Sequence, residues 1–367
     1  MIPRNAPTHA SAPMLDPILD RSGDGVRARA PRAPRAPRSS LVRVAAALTC
    51  VLLAAACSSD GNGKREMTKE EQLGLYFENA LWYLQMGDLD RAQFQAEKAL
   101  EIDPKNDRFE LIYARTNVMR GTTASISLAL QIFEARPDLE DYRWQMTYGA
   151  ALERKGVLFD EAARGVRTGE RATTASNRDA RAKELQEDAL ELWREARARF
   201  ERSNELFTGQ TETLNGLVRT SALLGDFQAS IDWSTALVEN IRESQFLSRS
   251  QLEAPDISAD REAQLRESLR KNRDFEVQVR LHKATLLRRI GKPADAVREL
   301  DEVIALEPDI AQTHSLRGQL LMQTGEYVKA RAALQRFLDL TDLPFDHPDV
   351  RKAFDLQDEC ERHERAR

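Results

Sequence analysis

Six glycines recur along the chain after Thr68: Gly87, Gly121, Gly156, Gly225, Gly291 and Gly325, at spacings of 34, 35, 69, 66 and 34 residues. Punctuation at one or two multiples of about 34 residues means that one short unit is used again and again. That rules out a single layered core built from unlike elements. The residue seven before each glycine is small or aliphatic: Ala80, Ala114, Gly149, Val218, Ala284 and Gly318. Five residues after most of them stand Ala92, Ile126, Ser230, Ala296 and Ala330, and twelve after stand Ala99, Phe133, Leu237, Val303 and Phe337. Pro104, Pro137 and Pro308 close three of the units. Each feature has a physical reason. Glycine accepts the positive φ that ends a first helix. Small residues let two antiparallel helices approach within roughly 8–10 Å. Proline stops the second helix before the next unit begins. Apolar residues follow helical spacing from Thr68 to the C-terminus, with no strand-like alternation.

With 31% charged and only 6% aromatic residues, the composition also favours helices over a β-sandwich or barrel. The pattern resembles the tetratricopeptide repeat, a helix–turn–helix unit of 34 residues. It is carried best by ALWYLQMGDLDRAQFQAEKALEIDPKN within 73–106, KATLLRRIGKPADAVRELDEVIALEPD within 277–310 and RGQLLMQTGEYVKARAALQRFLDL within 311–344. The weaker repeats 107–140 and 211–244 are in register. The resemblance implies an all-α, right-handed superhelical solenoid over 68–345, with about six repeats whose first helices line a concave face. The two long spacings place insertions. Within 142–210, Arg164–Ser176 reads as a polar loop ahead of a late second helix from about Asp179 to Phe207. Residues 245–276 read as two over-long helices joined by a turn at Glu253–Asp256, or as a degenerate extra repeat. Ser258 is placed to cap the helix that runs to Ile290, and Phe246, Leu247 and Leu252 to face Leu265 and Leu269. The tail, 346–367, reads as a polar helix that caps the last repeat.

The N-terminal end differs in kind. Residues 1–56 hold eight arginines, three aspartates and seven of the fourteen prolines. Such a stretch cannot bury a core. Val44–Ala56 is thirteen uncharged, mostly apolar residues, too short for the about 20 that a membrane-spanning helix needs, and reads as the apolar part of an export signal. Leu52-Leu53-Ala54-Ala55-Ala56-Cys57-Ser58-Ser59 then resembles the lipobox of bacterial lipoproteins, with Ala54 where leucine is commoner and Leu53 one place earlier. The resemblance implies lipid attachment at Cys57, with 57–67 as lipidated N-terminus and tether. Ser58 resembles the outer-membrane sorting choice. The forty-odd residues ahead of the apolar run exceed a normal signal, so translation is expected to start near Leu41 or Val42.

Residues 57–367 carry 46 Lys+Arg against 56 Asp+Glu, a net charge of −10. That argues against nucleic-acid binding, which needs a basic surface. No nucleophile elbow, phosphate loop or His-Glu-x-x-His motif is present. His282, His314, His347 and His363 lack metal-ligand spacing, so neither a metal nor a cofactor is called for. Cys360, the one thiol left beside Cys57, reads as structural, and Trp82, Trp144, Trp193 and Trp233 read as core. The first-helix residues Arg115, Arg154, Arg219, Arg288 and Arg289, with Leu81, Met119 and Leu223, suggest a basic, partly apolar groove for an acidic peptide. The alternative is a set of solvated arginines, partly offset by Glu153. The expectation is a non-enzymatic, membrane-anchored scaffold that binds protein partners in envelope assembly, secretion or pilus biogenesis, probed against two rivals: a glycan-capture lipoprotein and a regulatory subunit of an envelope hydrolase.

Overall fold

The structure, a computed structural model, describes residues 67–169, 177–254 and 256–366. They fall into two units, 67–75 and 76–366. In the first, Thr68 and Glu71 form a reciprocal cap: the Thr68 Oγ1 accepts from the Glu71 N–H at 3.2 Å, and the Glu71 carboxylate accepts from the Thr68 N–H at 2.9 Å. Among the described residues there are thirteen helices and no strand. They run as pairs of a first and a second helix: α1 (Lys69–Gln85) with α2 (Leu89–Ile102), α3 (Asp107–Arg120) with α4 (Thr123–Glu134), and α5 (Tyr142–Thr168) with α6 (Arg178–Leu206). There follow α7 (Thr211–Leu223) with α8 (Phe227–Leu252), α9 (Ala259–Arg289) with α10 (Pro293–Leu306), α11 (Ala311–Gln323) with α12 (Tyr327–Leu340), and a lone α13 (Pro348–Arg365).

Five of the six periodic glycines do what their spacing requires. Gly225, at φ 78°, ends α7, and the next N–H, that of Asp226, turns back to the Ser221 carbonyl at 2.9 Å. Asp226 then caps α8 by accepting from the Ala229 N–H. The same turn recurs after Gly87, Gly291 and Gly325, and Gly121 ends α3 at φ 68°. Gly156 does not end a helix. It lies buried inside α5, which runs on to Thr168, and the left-handed turn falls instead at Gly169. What Gly156 supplies is room: a Cβ there would meet the Trp193 indole nitrogen at 2.5 Å. The Trp193 indole N–H donates to the Glu153 carbonyl at 3.3 Å, in the space that the missing side chain leaves. The expected loop is accordingly helical over 164–168, and its remainder, 170–176, lies outside the described residues.

The small residues seven before each turn glycine are buried where paired helices touch. Gly318 marks the tightest approach, since a Cβ there would lie 2.7 Å from the Leu334 Cγ of α12. Opposite these positions, Ala92, Ser230, Ala296 and Ala330 are fully buried.

Two pairs exceed the period. The 27 residues of α5 and 29 of α6, against 14 for α3, extend both helices by about 20 Å at 1.5 Å per residue. That extension leaves from the edge where first helices turn into second ones. The second extension joins α8 to α9 through residues 253–258 and leaves from the opposite edge, where a second helix hands over to the next pair. Residues 245–276 are thus continuations of two repeat helices rather than a separate unit, with Ser258 capping α9 through the Arg261 N–H. The two extensions are sealed differently. Ala162, Ala163, Val166, Ala182 and Leu185 make an apolar seam in the first. In the second, Phe246 and Leu247 point to solvent rather than toward Leu265 and Leu269, and polar bonds join the helices: the Gln245 amide to Glu276 at 3.2 Å and the Asn272 amide to Ser244 at 3.1 Å. A charge network with Glu276 and Arg280 buried at its centre holds its base. The Arg280 guanidinium binds Glu276 at 2.9 Å and Glu299 at 2.6 Å, Lys283 binds Glu299 at 2.8 Å, and Arg242 bridges Glu276 at 2.9 Å and Glu302 at 2.6 Å. Six charges of alternating sign thus tie α8, α9 and α10 together.

At the far end, α13 lays Val350, Ala353 and Cys360 against the last pair and keeps a charged outer face.

Two expectations follow. Gly156→Ala forces the Trp193 ring out of its seat and should cost about 1–3 kcal/mol by overpacking, read as a lower urea midpoint with altered tryptophan emission. His282, on α9, has its Nε2 buried without a partner, and burial depresses its pKa from 6.5 to about 4. The folded imidazole therefore stays neutral while the unfolded one protonates below about pH 6.5. Stability from this residue is complete above that pH and is lost as the pH falls toward 4, by about 2 kcal/mol between pH 7 and 5. Denaturation curves at the two pH values should show a smaller acid loss for His282→Leu than for the wild type.

Candidate functional site

First helices of neighbouring pairs touch directly, α3 against α5 and α5 against α7, while among the described residues no two second helices are in comparable contact. The first helices are therefore the more closely spaced layer and form the inner face. The residues expected to line it are those six, three and two before each turn.

Arg115 and Arg219 do lie there, but neither is an open cation. Arg115 of α3 reaches across α5 to bind Glu212 of α7 at 2.9 Å. The Arg219 guanidinium on α7 clasps the Glu153 carboxylate of α5 through two hydrogen bonds, at 2.6 and 2.7 Å. Glu153 is buried, so this bidentate pair is a charge-assisted tie between pairs three and four. Arg154 and Arg289 have a different task. The Arg154 guanidinium covers the Gly121 turn of the preceding pair, 3.4 Å from where a Cβ would stand. That of Arg289 lies 4.9 Å over the Phe227 ring, just past the Gly225 turn. Arg288 and Arg289, both on α9, are exposed. Arg115, Arg154 and Arg219 thus act within the stack, so the five arginines do not together form one open basic groove. Beyond α7 the inner face carries Arg288 among amides and hydroxyls: Gln278, Thr285, Gln312, Ser315, Gln319 and Gln323, with Leu281 and Met322 between them.

The other singled-out residues are structural. His314 is buried, with Nε2 2.7 Å from the Pro308 carbonyl, and so braces the link between α10 and α11. His347 caps α13 through the Asp349 N–H, and His363 stacks on Tyr327 with ring centres 4.3 Å apart. Cys360 is fully buried, and burial raises its thiol pKa, which leaves it unreactive. Among the described residues no three His, Cys, Asp or Glu side chains group as metal ligands. Trp144 and Trp193 are buried and Trp233 half-buried, each within a core cluster or seat. Trp82 departs from the core expectation, being 49% exposed on α1. The tryptophans do not share a surface, so no aromatic platform for a sugar arises. Sequence reasoning missed Glu212 and the charge network at the base of the second extension. The i,i+4 pair Glu276–Arg280 was its one local signal.

Segments 74–106 and 281–343 match family models described as tetratricopeptide repeat. No curated protein matches. Among solved structures, the chain is similar to the pilF protein of Pseudomonas aeruginosa, at 13% identity over 80% of this chain and 90% of that one, with a TM-score of 0.34. A tetratricopeptide repeat protein of Parabacteroides merdae aligns at 12% identity over 78% and 98%, TM-score 0.28. The TPR2AB domain of yeast Sti1, in complex with pHSP90, aligns at 12% over 79% and 98%, TM-score 0.23. Likenesses this distant add nothing to what the helix pairs themselves establish.

If the inner-face arginine is a tie, Arg219→Ala should strand a buried carboxylate and lower stability by about 3–5 kcal/mol. The double variant Glu153→Leu/Arg219→Met should recover most of that loss. Urea denaturation of the two proteins decides the point: equal losses would mean that the pair is not a unit.

Proposed function

We propose that this chain is a non-enzymatic scaffold that binds protein or peptide partners and is held at a membrane by lipid on Cys57. The reading rests on one observation: consecutive helix pairs in one register present a continuous inner face whose side chains come from several repeats. Segments that match the tetratricopeptide repeat lie near both ends of the stack, and the turns after Gly121 and Gly225 keep its register between them. A face of this kind offers an extended segment many weak, additive contacts rather than one reactive centre. The ion-paired stretch from α3 to α7 is stiff and self-satisfied. The stretch from α9 to α11 carries Gln278, Gln312 and Gln323 beside the exposed Arg288, groups suited to a peptide backbone and to a carboxylate on it.

The anchor is argued from sequence, since 1–66 lie outside the described residues. In this reading residues 1–56 are a removed leader, Cys57 is acylated, and 57–67 tether the solenoid of 68–345, closed by 346–367. Several acyl chains suit a permanent anchor, because one alone holds a membrane only marginally. The expected setting is the cell envelope, with the chain on the outer membrane facing the periplasm, in assembly, secretion or pilus biogenesis.

Two measurements test the two halves. Cys57→Ser should abolish palmitate labelling and release the protein from the membrane fraction; labelling that persists would end the anchor reading. A photo-crosslinking side chain at position 288, on the inner face, should trap specific protein adducts in cells, whereas one at position 298, exposed on α10, should not. Equal trapping at both would count against an inner-face site.

A further inference from the structure

The two ends of the stack are finished differently. At the C-terminal end α13 covers the last pair and turns a charged face outward, with Arg351, Asp355, Asp358 and Arg362 exposed. At the other end, α1 shows apolar side chains: Leu81 is 38%, Trp82 49% and Met86 67% exposed. The register shows what these exposures mean. Trp82 stands five residues before its turn glycine. The five residues in the same place in the later pairs, Thr116, Ala151, Thr220, Leu286 and Leu320, are each 3% exposed or less. Each first helix from α3 to α11 packs against the second helix of the pair before it. Trp82 occupies the position that such a helix covers, one turn from Met86 on the same face, and no described helix covers it.

We propose that this end of the stack docks a basic amphipathic helix of a partner protein, which continues the pair-to-pair interface by one more helix. The inference rests on the reading of the chain as a binding scaffold and gives it a second surface. The shape of the occupant follows from the interface it prolongs, since at every later pair a single helix with an apolar stripe fills this place. Its charge follows from the surroundings. Residues 76–103 contain six acidic residues and two basic ones. Both bases are already engaged, Arg91 with Asp88 at 3.4 Å and Lys98 with Glu101 at 2.7 Å, and Asp90 is paired with Arg120 at 2.5 Å; the excess that remains is acidic. Glu78, one turn before Trp82, is exposed beside the patch. A second copy of this chain would bring a like-charged acidic end against it, and anionic lipid would be repelled in the same way. A helix with an aliphatic stripe flanked by Lys or Arg satisfies both the apolar row and the acidic rim.

The probe is a peptide with the sequence of residues 293–306, the helix α10 that covers this position on α11. Its residues 298 and 302 are joined by an i,i+4 staple, and Asp295, Glu299 and Asp301 are replaced by Lys. Titrated into the full chain, it should bind saturably and shift the tryptophan emission to the blue as Trp82 is covered. Trp82→Ala, at an exposed site, should weaken binding at least tenfold, and so should Met86→Lys, which leaves Trp82 in place. A stapled peptide that keeps the native acids should bind at least tenfold more weakly. The proposal is overturned if no saturable binding occurs or if both variants bind like the wild type. It is equally overturned if Trp82→Ala instead abolishes a concentration-dependent dimer seen by sedimentation, or abolishes binding to phosphatidylglycerol vesicles. Loss of this surface with position 288 still trapping partners would leave the scaffold reading standing; loss of both would remove the two together.

Discussion

Everything in this molecule depends on how closely two helices can lie side by side. The approach is set by a single position per pair, seven residues before the turn, where Ala, Gly or Val keeps the first helix against the second. At Gly318 the facing Leu334 side chain occupies the space of a Cβ, and at Gly216 the Phe200 ring of α6 does the same between pairs, 2.5 Å from where a Cβ would be. Such contacts tolerate no added atoms without shifting backbone or ring. Because each pair is seated against the next in the same way, the cost of a misfit is passed along the stack. A regular turn every 34 residues is therefore a packing requirement before it is a sequence signature.

Within that frame the charges bind helices to one another. A chain with 31% charged residues could leave nearly all of them in water, where exposed pairs contribute little. Here a subset is drawn inward. Arg219 with Glu153 ties pairs three and four across the inner face, and Arg280 with Glu276 and Glu299 fixes the root of the second extension. Buried ion pairs of this kind are weak as net stabilisers but costly to break singly. They hold the spacing between particular pairs, which apolar contacts, being non-directional, specify less well. The consequence for function is that the middle of the inner face is spoken for. In the proposed scaffold, recognition is left to the amide-rich stretch over α9 and α11 and to the uncovered end at α1.

How much of this was legible in the sequence depends on the range of the interaction. The turn at Gly225, the cap at Ser258 and the long α6 were readable because each is decided within a few residues. Gly156 was misread because two opposite needs select glycine: positive φ at a turn, and the absence of a Cβ beneath Trp193, a residue 37 positions away. Spacing alone does not separate them. The pairing of Arg115 and Arg219 was missed for a related reason. Their helix and their face were readable from the period, but the carboxylate that Arg115 meets belongs to a helix two pairs later, and no local pattern announces Glu212. Trp82 was placed in the core by its apolar stripe, which was right about the kind of surface. What the stripe does not contain is whether a neighbouring helix exists to cover it.

The two extensions show how that same distinction shapes stability along the chain. The seam between α5 and α6 is apolar and continuous with the buried Trp193 seat, so opening it exposes hydrophobic surface to water and is resisted at any ionic strength. The seam between α8 and α9 has one buried apolar side chain, Leu265, and otherwise amide, hydroxyl and carboxylate contacts, with Phe246 and Leu247 on its solvent side. Water can replace those partners at little net cost, and beyond the charge network the extension adds few apolar contacts to offset the entropy of ordering it. Local opening will therefore begin at the tip of the second extension and stop at Glu276 and Arg280, where a further step would strand buried charge. The network is thus a boundary as well as a brace: it confines motion to the projecting helices and leaves the register of the inner face unaltered.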